Sequence, residues 1–341
     1  MKNRKDFITL AHGNGGRLTH DLVNNLFVKS FANPYLESQL DSALLPAGEN
    51  RLAFTTDSFV VKPLFFPGGD IGKLAVCGTV NDLAVMGAVP LFLSCAMIIE
   101  EGFPLAQLEQ ITQSIQQTAH SANVQVVTGD TKVVEKGMAD GLFITTSGIG
   151  MLTSPGITLS PDRVTPGDKV IINGTIGDHG IAVLTARGDF PLSSAVKSDC
   201  APLNGLTSAL SAGIPPAELK MLRDPTRGGV ATTLNEFTQG RDFGILIEET
   251  ALPLQAEVST IAEMTGFDPL YIANEGKLLI VVSAAAEKQA LEILQQHPLG
   301  VQSRTIGEVM AEHRGQVVLR SRIGGKRIVD MLVGEPLPRI C

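Results

Sequence analysis

Short apolar runs of strand length alternate along this chain with stretches of helical periodicity. That alternation restricts it to an α/β or α+β architecture, in which helices cover the faces of sheets. In the first half "RLAFTTDSF", "LFLSCAMII", "VQVVTGDTKVV" and "GLFITTSGIGML" read as strands. The first is expected to end at Asp57, the second to be buried, and the third to run into a Gly-Asp turn. Between them "IGKLAVCGTVNDLAVMG" predicts a long helix, and "PLAQLEQITQSIQQTAHSA" an amphipathic one opened by Pro104. From Thr153 to Asp168 the chain becomes rich in Pro, Gly, Ser and Asp, which places a domain boundary there. The pattern then restarts with strand "KVIING" and helix "DHGIAVLTARG", followed by helix "GGVATTLNEFTQ", strands "FGILIEE" and "GKLLIVVS", and helix "AEKQALEILQQ". At 341 residues two cores are expected. The expected division is residues 1–153, residues 154–333 and a tail over 334–341. The two halves share their element content without an internal sequence repeat.

Composition narrows the function. A formal charge of −8 argues against sequence-independent nucleic-acid binding, which needs a basic face. It leaves open a nucleotide site whose acidic residues act through Mg²⁺. The four cysteines, Cys77, Cys95, Cys200 and Cys341, form no CxxC pair and no regular spacing, so neither a disulfide framework nor a thiolate zinc site is expected. Cys77 and Cys95 sit in apolar surroundings and read as inert core thiols. The N-terminus lacks the apolar core of a secretory signal, and no apolar run is long enough to span a bilayer, so a cytoplasmic location is expected.

Several residues need a chemical explanation. Asn81 and Asp82 interrupt the apolar helix side by side, and a carboxylate there is costly unless paired, hydrogen-bonded or bound to a cation. Asp57 and Asp130 occupy comparable places after strands. Convergence of the three at one end of a sheet would require a cation, and oxygen-only ligands suit Mg²⁺ or Ca²⁺. In "AHGNGGR", three glycines with an Asn and an Arg precede a helix, a pattern suited to phosphate contact through backbone N–H groups. "RDPTRGGV" makes a second loop-to-helix site, with Asp224, Arg227, Gly228 and Gly229. Glu275 lies just before an apolar strand in "NEGKLLIVV", a place where Glu is most often a turn residue. No HxxxH or HxH pair exists among the six histidines, so a histidine metal centre is not expected.

Taken in order, "HGNGG", "TTDSF", "NDLAVMGA", "GDTKVV", "DPTRGGV" and "NEGKLL" resemble the PurM-type ATP-using superfamily, which includes aminoimidazole ribonucleotide synthetase, selenophosphate synthetase and thiamine monophosphate kinase. The resemblance spans His12 to Leu279, nearly the whole chain. It implies a two-domain PurM-like fold whose N-terminal domain forms a homodimer through its sheet, with ATP and Mg²⁺ bound near the dimer interface. Carried over by motif, Asp57, Asp82 and Asp130 become metal and phosphate ligands. The loop His12, Gly13, Asn14, Gly15 and Gly16 closes over the phosphates. Asn81 joins the phosphate site, and Asp224, Arg227, Gly228 and Gly229 line the opposite wall. Selenophosphate synthetase would need a Cys or selenocysteine near the first glycine loop, and residues 1–76 contain none. Thiamine monophosphate kinase would leave the ending "PRIC" without a purpose.

That ending is similar to the hydrogenase-maturation carbamoyl dehydratases of the superfamily, in which the C-terminal Cys carries the reacting group. The resemblance implies that a carbamoyltransferase, HypF, loads a carboxamide onto Cys341. ATP then drives S–C(=O)NH₂ to S–C≡N, and the cyanide passes to iron on a HypC–HypD complex for a NiFe hydrogenase. An amide oxygen is a poor leaving group that phosphorylation makes a good one, and a base must then take the nitrogen protons. Under this resemblance Glu275 is the candidate base, and Lys132 the candidate stabiliser of charge developing on oxygen or phosphate. The tail from Gly334 to Cys341 can reach about 25 Å when extended. Pro336 and Pro338 favour a polyproline-like path with a hinge near Gly334. The α-carboxylate of Cys341 is expected to raise its thiol pKa, and Arg339 to offset this in part.

Overall fold

The structure, a computed structural model, describes residues 7–48, 50–152, 159–188, 194–334, 337 and 340–341. The expected boundary at 153/154 and the tail residues Pro336, Pro338 and Arg339 lie outside the described residues. After two short helices, α1 (Arg17–Leu22) and α2 (Lys29–Phe31), the first half comprises β1 (Ala43–Ala47), β2 (Asn50–Phe59), the two-residue strands β3 (Phe65–Phe66) and β4 (Gly69–Asp70), α3 (Ile71–Val85), β5 (Val89–Glu100), α4 (Leu105–Ser121), β6 (Gln125–Val134) and β7 (Leu142–Leu152). Its five-stranded sheet runs β1-β2-β7-β5-β6. The β5–β6 pair is parallel, because α4 crosses over between those strands; the other pairs are antiparallel.

The second half continues through β8 (Lys169–Ile172), α5 (Asp178–Arg187), α6 (Asn204–Gly213), β9 (Leu219–Arg223), α7 (Gly229–Thr238), β10 (Gly244–Glu248), α8 (Ala256–Thr265), β11 (Leu279–Val282), α9 (Glu287–Gln296), β12 (Arg304–Met310), β13 (Val317–Arg320) and β14 (Lys326–Val329). These strands form a seven-stranded sheet in the order β14-β13-β10-β12-β8-β11-β9. β11 is hydrophobic throughout and buried throughout, as a central strand flanked by β8 and β9 should be. Among the described residues no helix is long and apolar enough to cross a membrane.

Helix α3 joins the halves. Its first turn is capped by Asp70, whose Oδ1 accepts from the Gly72 and Lys73 amides at 2.7 and 3.0 Å. It packs on β2, β5, β7 and α4 on one side, and on α6 and β9 of the second half on the other. A helix covered all round must be apolar all round, which is why its sequence lacks an amphipathic stripe. Lys73 and Asp82 are the only α3 residues that are not fully buried. Asp82 therefore faces a gap between the halves rather than the core.

Two strand expectations are corrected. β5 is not buried on both faces: Phe54, Ile149 and Phe92 are cross-strand neighbours on the outer face of the sheet, and with Ile98 they are about 40% exposed. "VQVVTGDTKVV" contains no turn, because Gly129 and Asp130 stay in the ladder opposite Cys95 and Ala96.

Phe237 of α7 is fully buried in the core of the second half. Phe237→Ala is expected to cost about 3–5 kcal/mol in chemical denaturation, and a loss below about 1 kcal/mol would mean that this core does not hold the domain together.

Candidate active site

A cavity of about 210 Å³ opens between the two halves, where strands and helices from both end. Asp82 reaches it from α3, Asp57 from the inner face of β2, Asp41 from the turn before β1, and Asp224 from the residue after β9. Oxygens of Asp41, Asp82 and Asp224 lie within 4.8 Å of one another. Burial is the first cause of every pKa shift in this group; neighbouring carboxylates add to it at Asp41, Asp82 and Asp224, whereas Arg227 opposes it at Asp57. Burial pushes Asp41 up to about 6, Asp224 up to about 7, Asp82 well above the usual carboxylate range, and Asp57 upward. Besides Arg227, two groups counter the negative charge. Arg223 places Nε 2.8 Å from Asp41 and Nη2 2.9 Å from Glu236, and the Thr55 hydroxyl donates to Asp82 Oδ2 at 2.8 Å. Two guanidiniums, Arg223 and Arg227, line the cavity with six carboxyl groups (Asp41, Asp57, Asp82, Asp224, Glu236 and Glu275), and an all-oxygen donor set of this size suits a hard divalent cation.

Glu275 and Cys341 form the opposite wall. The Glu275 amide donates to Asp199 Oδ1 at 3.1 Å, the Gly276 amide to Oδ2 at 3.2 Å, and Lys277 pairs with the same carboxylate at 3.2 Å. That buried ion pair fixes the "NEGK" loop and turns the Glu275 side chain inward at 3% exposure. Its Oε1 has no hydrogen-bond partner. Burial, then the surrounding acidic groups, raise its pKa well above the ordinary carboxylate value. Cys341 is half-buried, and an oxygen of its α-carboxylate accepts from the Val60 amide at 3.2 Å. Burial pushes its thiol up to about 12; Arg227 opposes the shift, while Glu275, which hydrogen-bonds the thiol, reinforces it. Desolvation in the docked position is therefore the main cause of the raised thiol pKa, where the sequence pointed to the α-carboxylate.

A second cavity of about 220 Å³ adjoins the first and shares Ser58, Arg227 and Cys341 with it. Gly13 and Asn14 line it, whereas Gly15 lines the first. Arg227 donates to the Gly13 carbonyl at 3.0 Å, tying the first glycine loop to the second. Asn14 Nδ2 is buried without a partner. Gly228 lines the second cavity, and Gly229 (φ +60°) starts α7 where a Cβ would come 2.5 Å from the Leu270 carbonyl.

Other expected site residues stand elsewhere. His12 accepts from the Thr9 amide at 3.1 Å and lines neither cavity; Gly16 caps α1 and donates to Asn14 Oδ1 at 2.9 Å. Asn81 uses its side chain as a brace between the halves, donating to the Ala201 and Glu275 carbonyls and accepting from the Leu203 amide at 2.7 Å. No capacity is left there for a phosphate. Asp130 and Lys132 do not join the cavity within one chain. They form an exposed 3.1 Å ion pair on β6, three strand spacings (roughly 14 Å) from β2. Asp57 is opposite buried Thr146 on the inner face, whereas Asp130 continues the outer-face row Ser58–Thr145–Ala96. Strand alternation thus separates Asp130 from Asp57 and Asp82. Conversely, Asp41 and Arg223 belong to the site without having been singled out. Asp41 is a lone acid before a strand and carries no spacing signal. Arg223 sits inside the quoted motif "RDPTRGGV" and was legible there.

Two models of the AIR synthase related protein family match the chain, the N-terminal domain over residues 39–152 and the C-terminal domain over residues 165–320. The carbamoyl dehydratase HypE of Rhodobacter capsulatus is 51% identical, with 100% of both chains covered. Among solved structures, a HypE–HypF complex matches with a TM-score of 0.85 at 48% identity, covering 91% of this chain and 99% of that one. HypE in complex with ATP matches with a TM-score of 0.81 at 42% identity, covering 98% and 100%.

The docked thiol has a measurable signature. With its pKa near 12, roughly one molecule in 10,000 is thiolate at pH 8, against about a quarter for an unperturbed thiol. Alkylation of Cys341 by iodoacetamide is expected to be at least 100-fold slower than in the free C-terminal peptide. Because the docked state binds the thiol proton more tightly, docking is strongest below about pH 8.5 and weakens as pH rises toward about 12. Equal alkylation rates in the protein and the peptide at pH 8 would refute protection by docking.

Proposed function

This chain belongs to the HypE carbamoyl dehydratases of the AIR synthase related family, and from that premise we propose that it uses ATP to dehydrate a carbamoyl group carried on its own C-terminal Cys341, supplying a cyanide ligand for NiFe hydrogenase maturation. The observation that carries this reading is the position of Cys341: the end of the chain lies in the wall of the carboxylate cavity, facing Glu275 and Arg227.

Carbamoylation of Sγ removes the thiol proton and puts an NH₂ group where the S–H had faced Glu275. The carbamoyl oxygen then takes the γ-phosphoryl group and one N–H proton leaves. Next the C–O bond breaks, phosphate departs and the second N–H proton is lost as C≡N forms. The products are S–C≡N, ADP and phosphate. Glu275 receives a nitrogen proton, for which its raised pKa suits it, since a carboxylate in that environment is a stronger base than one in water. Arg227, between the two cavities, faces the charge that develops on the transferred phosphoryl group. Asp41, Asp82 and Asp224 fit Mg²⁺ by donor type and spacing. When bound, that ion would neutralise phosphate charge. Asp57 borders it, and the buried, unpartnered Asn14 Nδ2 suits a polar group of the nucleotide.

The chain works as a homodimer packed through the outer face of the first sheet, where Phe54, Phe92, Ile98 and Ile149 are bare. Asp130 and Lys132 lie on that same face, so any part they take in phosphate chemistry is played at the partner protomer's site. HypF loads Cys341, and the HypC–HypD complex accepts the cyanide.

Incubation with the carbamoyl donor enzyme is expected to add one carbamoyl group to the C-terminal peptide by mass, and addition of Mg·ATP to remove one water from it. An adduct that keeps its water with ATP present would leave a carrier instead of an enzyme. Glu275→Gln is expected to accept the carbamoyl group and lower single-turnover dehydration about 100-fold. Full activity in that variant would exclude Glu275 as the base. Phe92→Glu is expected to give monomers by light scattering, and a persistent dimer would move the interface elsewhere.

A further inference from the structure

The helix α5 opens with Asp178-His179-Gly180, a trio to which the chemistry above assigns nothing. His179 is fully buried, with its ring edge-on to Phe66 at a centroid distance of 5.4 Å. One ring nitrogen, Nδ1, is 2.8 Å from Ser198 Oγ; the other, Nε2, is 2.8 Å from the carbonyl oxygen of Ile340. A carbonyl only accepts, so the ring must carry its proton on Nε2. In the neutral ring Nδ1 is then an acceptor and takes the Ser198 hydroxyl proton, while Ser198 Oγ accepts from the Cys200 amide at 3.1 Å. Every group in this chain is satisfied, and the last acceptor comes from the residue before the reacting cysteine.

Nearby backbone and side chains are shaped to the same end. A Cβ on Gly180 would lie 2.3 Å from Ile272 Cγ2, so the glycine lets α5 pack on Ile272, with Leu337 Cδ1 of the tail at contact distance from the same point. The Ile340 side chain is 6% exposed in the core of the first half, and Leu337 packs between that core and α5. With the tail withdrawn, the His179 Nε2–H would face an apolar gap without an acceptor.

We propose that His179 is a positioning residue for the reaction: its Nε2–H grips the Ile340 carbonyl and so sets the register in which Cys341 Sγ faces Glu275, and it governs how much of the time the tail is docked. This rests on the function proposed above, yet one of its two readouts does not depend on that chemistry. The experiment compares wild type, His179→Leu and His179→Gln, whose side-chain amide restores a donor near the Nε2 position. The first readout is iodoacetamide alkylation of free Cys341, and the second is single-turnover dehydration of the carbamoylated chain with Mg·ATP.

His179→Leu is expected to alkylate Cys341 at least about 10-fold faster and to dehydrate about 10–100-fold slower, with the KM for ATP unchanged. His179→Gln is expected to return both rates to within about threefold of wild type. Wild-type alkylation in His179→Leu would overturn the proposal, as would loss of ATP affinity in step with the rate, which marks general damage to the fold. If the wild type alkylates slowly and His179→Leu fast, but neither dehydrates, His179 still holds the tail and the proposed chemistry falls instead. Should His179→Leu fail to fold, Ser198→Ala removes the donor that fixes the tautomer. It is expected to shift alkylation in the same direction by a smaller factor, and an unchanged rate there would also overturn the proposal.

Discussion

Mutual repulsion among Asp41, Asp82 and Asp224 is the constraint around which the cavity is organised. Three carboxyl groups held this close and out of bulk water, with one ion pair from Arg223 to Asp41, are a costly arrangement for a fold. They persist because each is fixed by a backbone with other reasons to be where it is: α3 is pinned between two sheets, β9 closes the edge of the second sheet, and the turn before β1 is tied to β9 through the ion pair of Asp41 with Arg223. The result is a cluster of acidic groups brought together by the packing of the two halves rather than by attraction for one another.

The terminal cysteine solves a complementary problem. A thiol buried at about pKa 12 is a poor nucleophile in the docked position. The same environment raises the pKa of Glu275, the group that faces the sulfur. Under the chemistry proposed above, a carbamoyl group on that sulfur would replace the S–H with an N–H donor.

How much of the site could be read beforehand depended on where the signal resided. The glycine loops, Asp82, Asp224, Arg227 and Glu275 stood in short motifs whose composition broke the local pattern, and all but His12, Gly16 and Gly229 of these border the cavities. Asp41 carries no local signature and became visible only through its distance to Asp82 and Asp224. Asn81 was a polar break in an apolar helix for a structural reason, since it cross-links the halves through three hydrogen bonds. Asp130 and Lys132 failed to converge with the others because one step along β6 changes the face of the sheet, and the face cannot be known until the register is.

The alternation of strands and helices and the largely apolar character of α3 were determined by the sequence alone, because periodicity and burial are local consequences of side-chain chemistry. The tertiary structure decided which carboxylates meet, which face of the first sheet stays bare and where Cys341 comes to rest. Those are facts of strand order, register and the packing of two halves on one helix. They join residues up to three hundred positions apart, and no window of sequence carries such a distance.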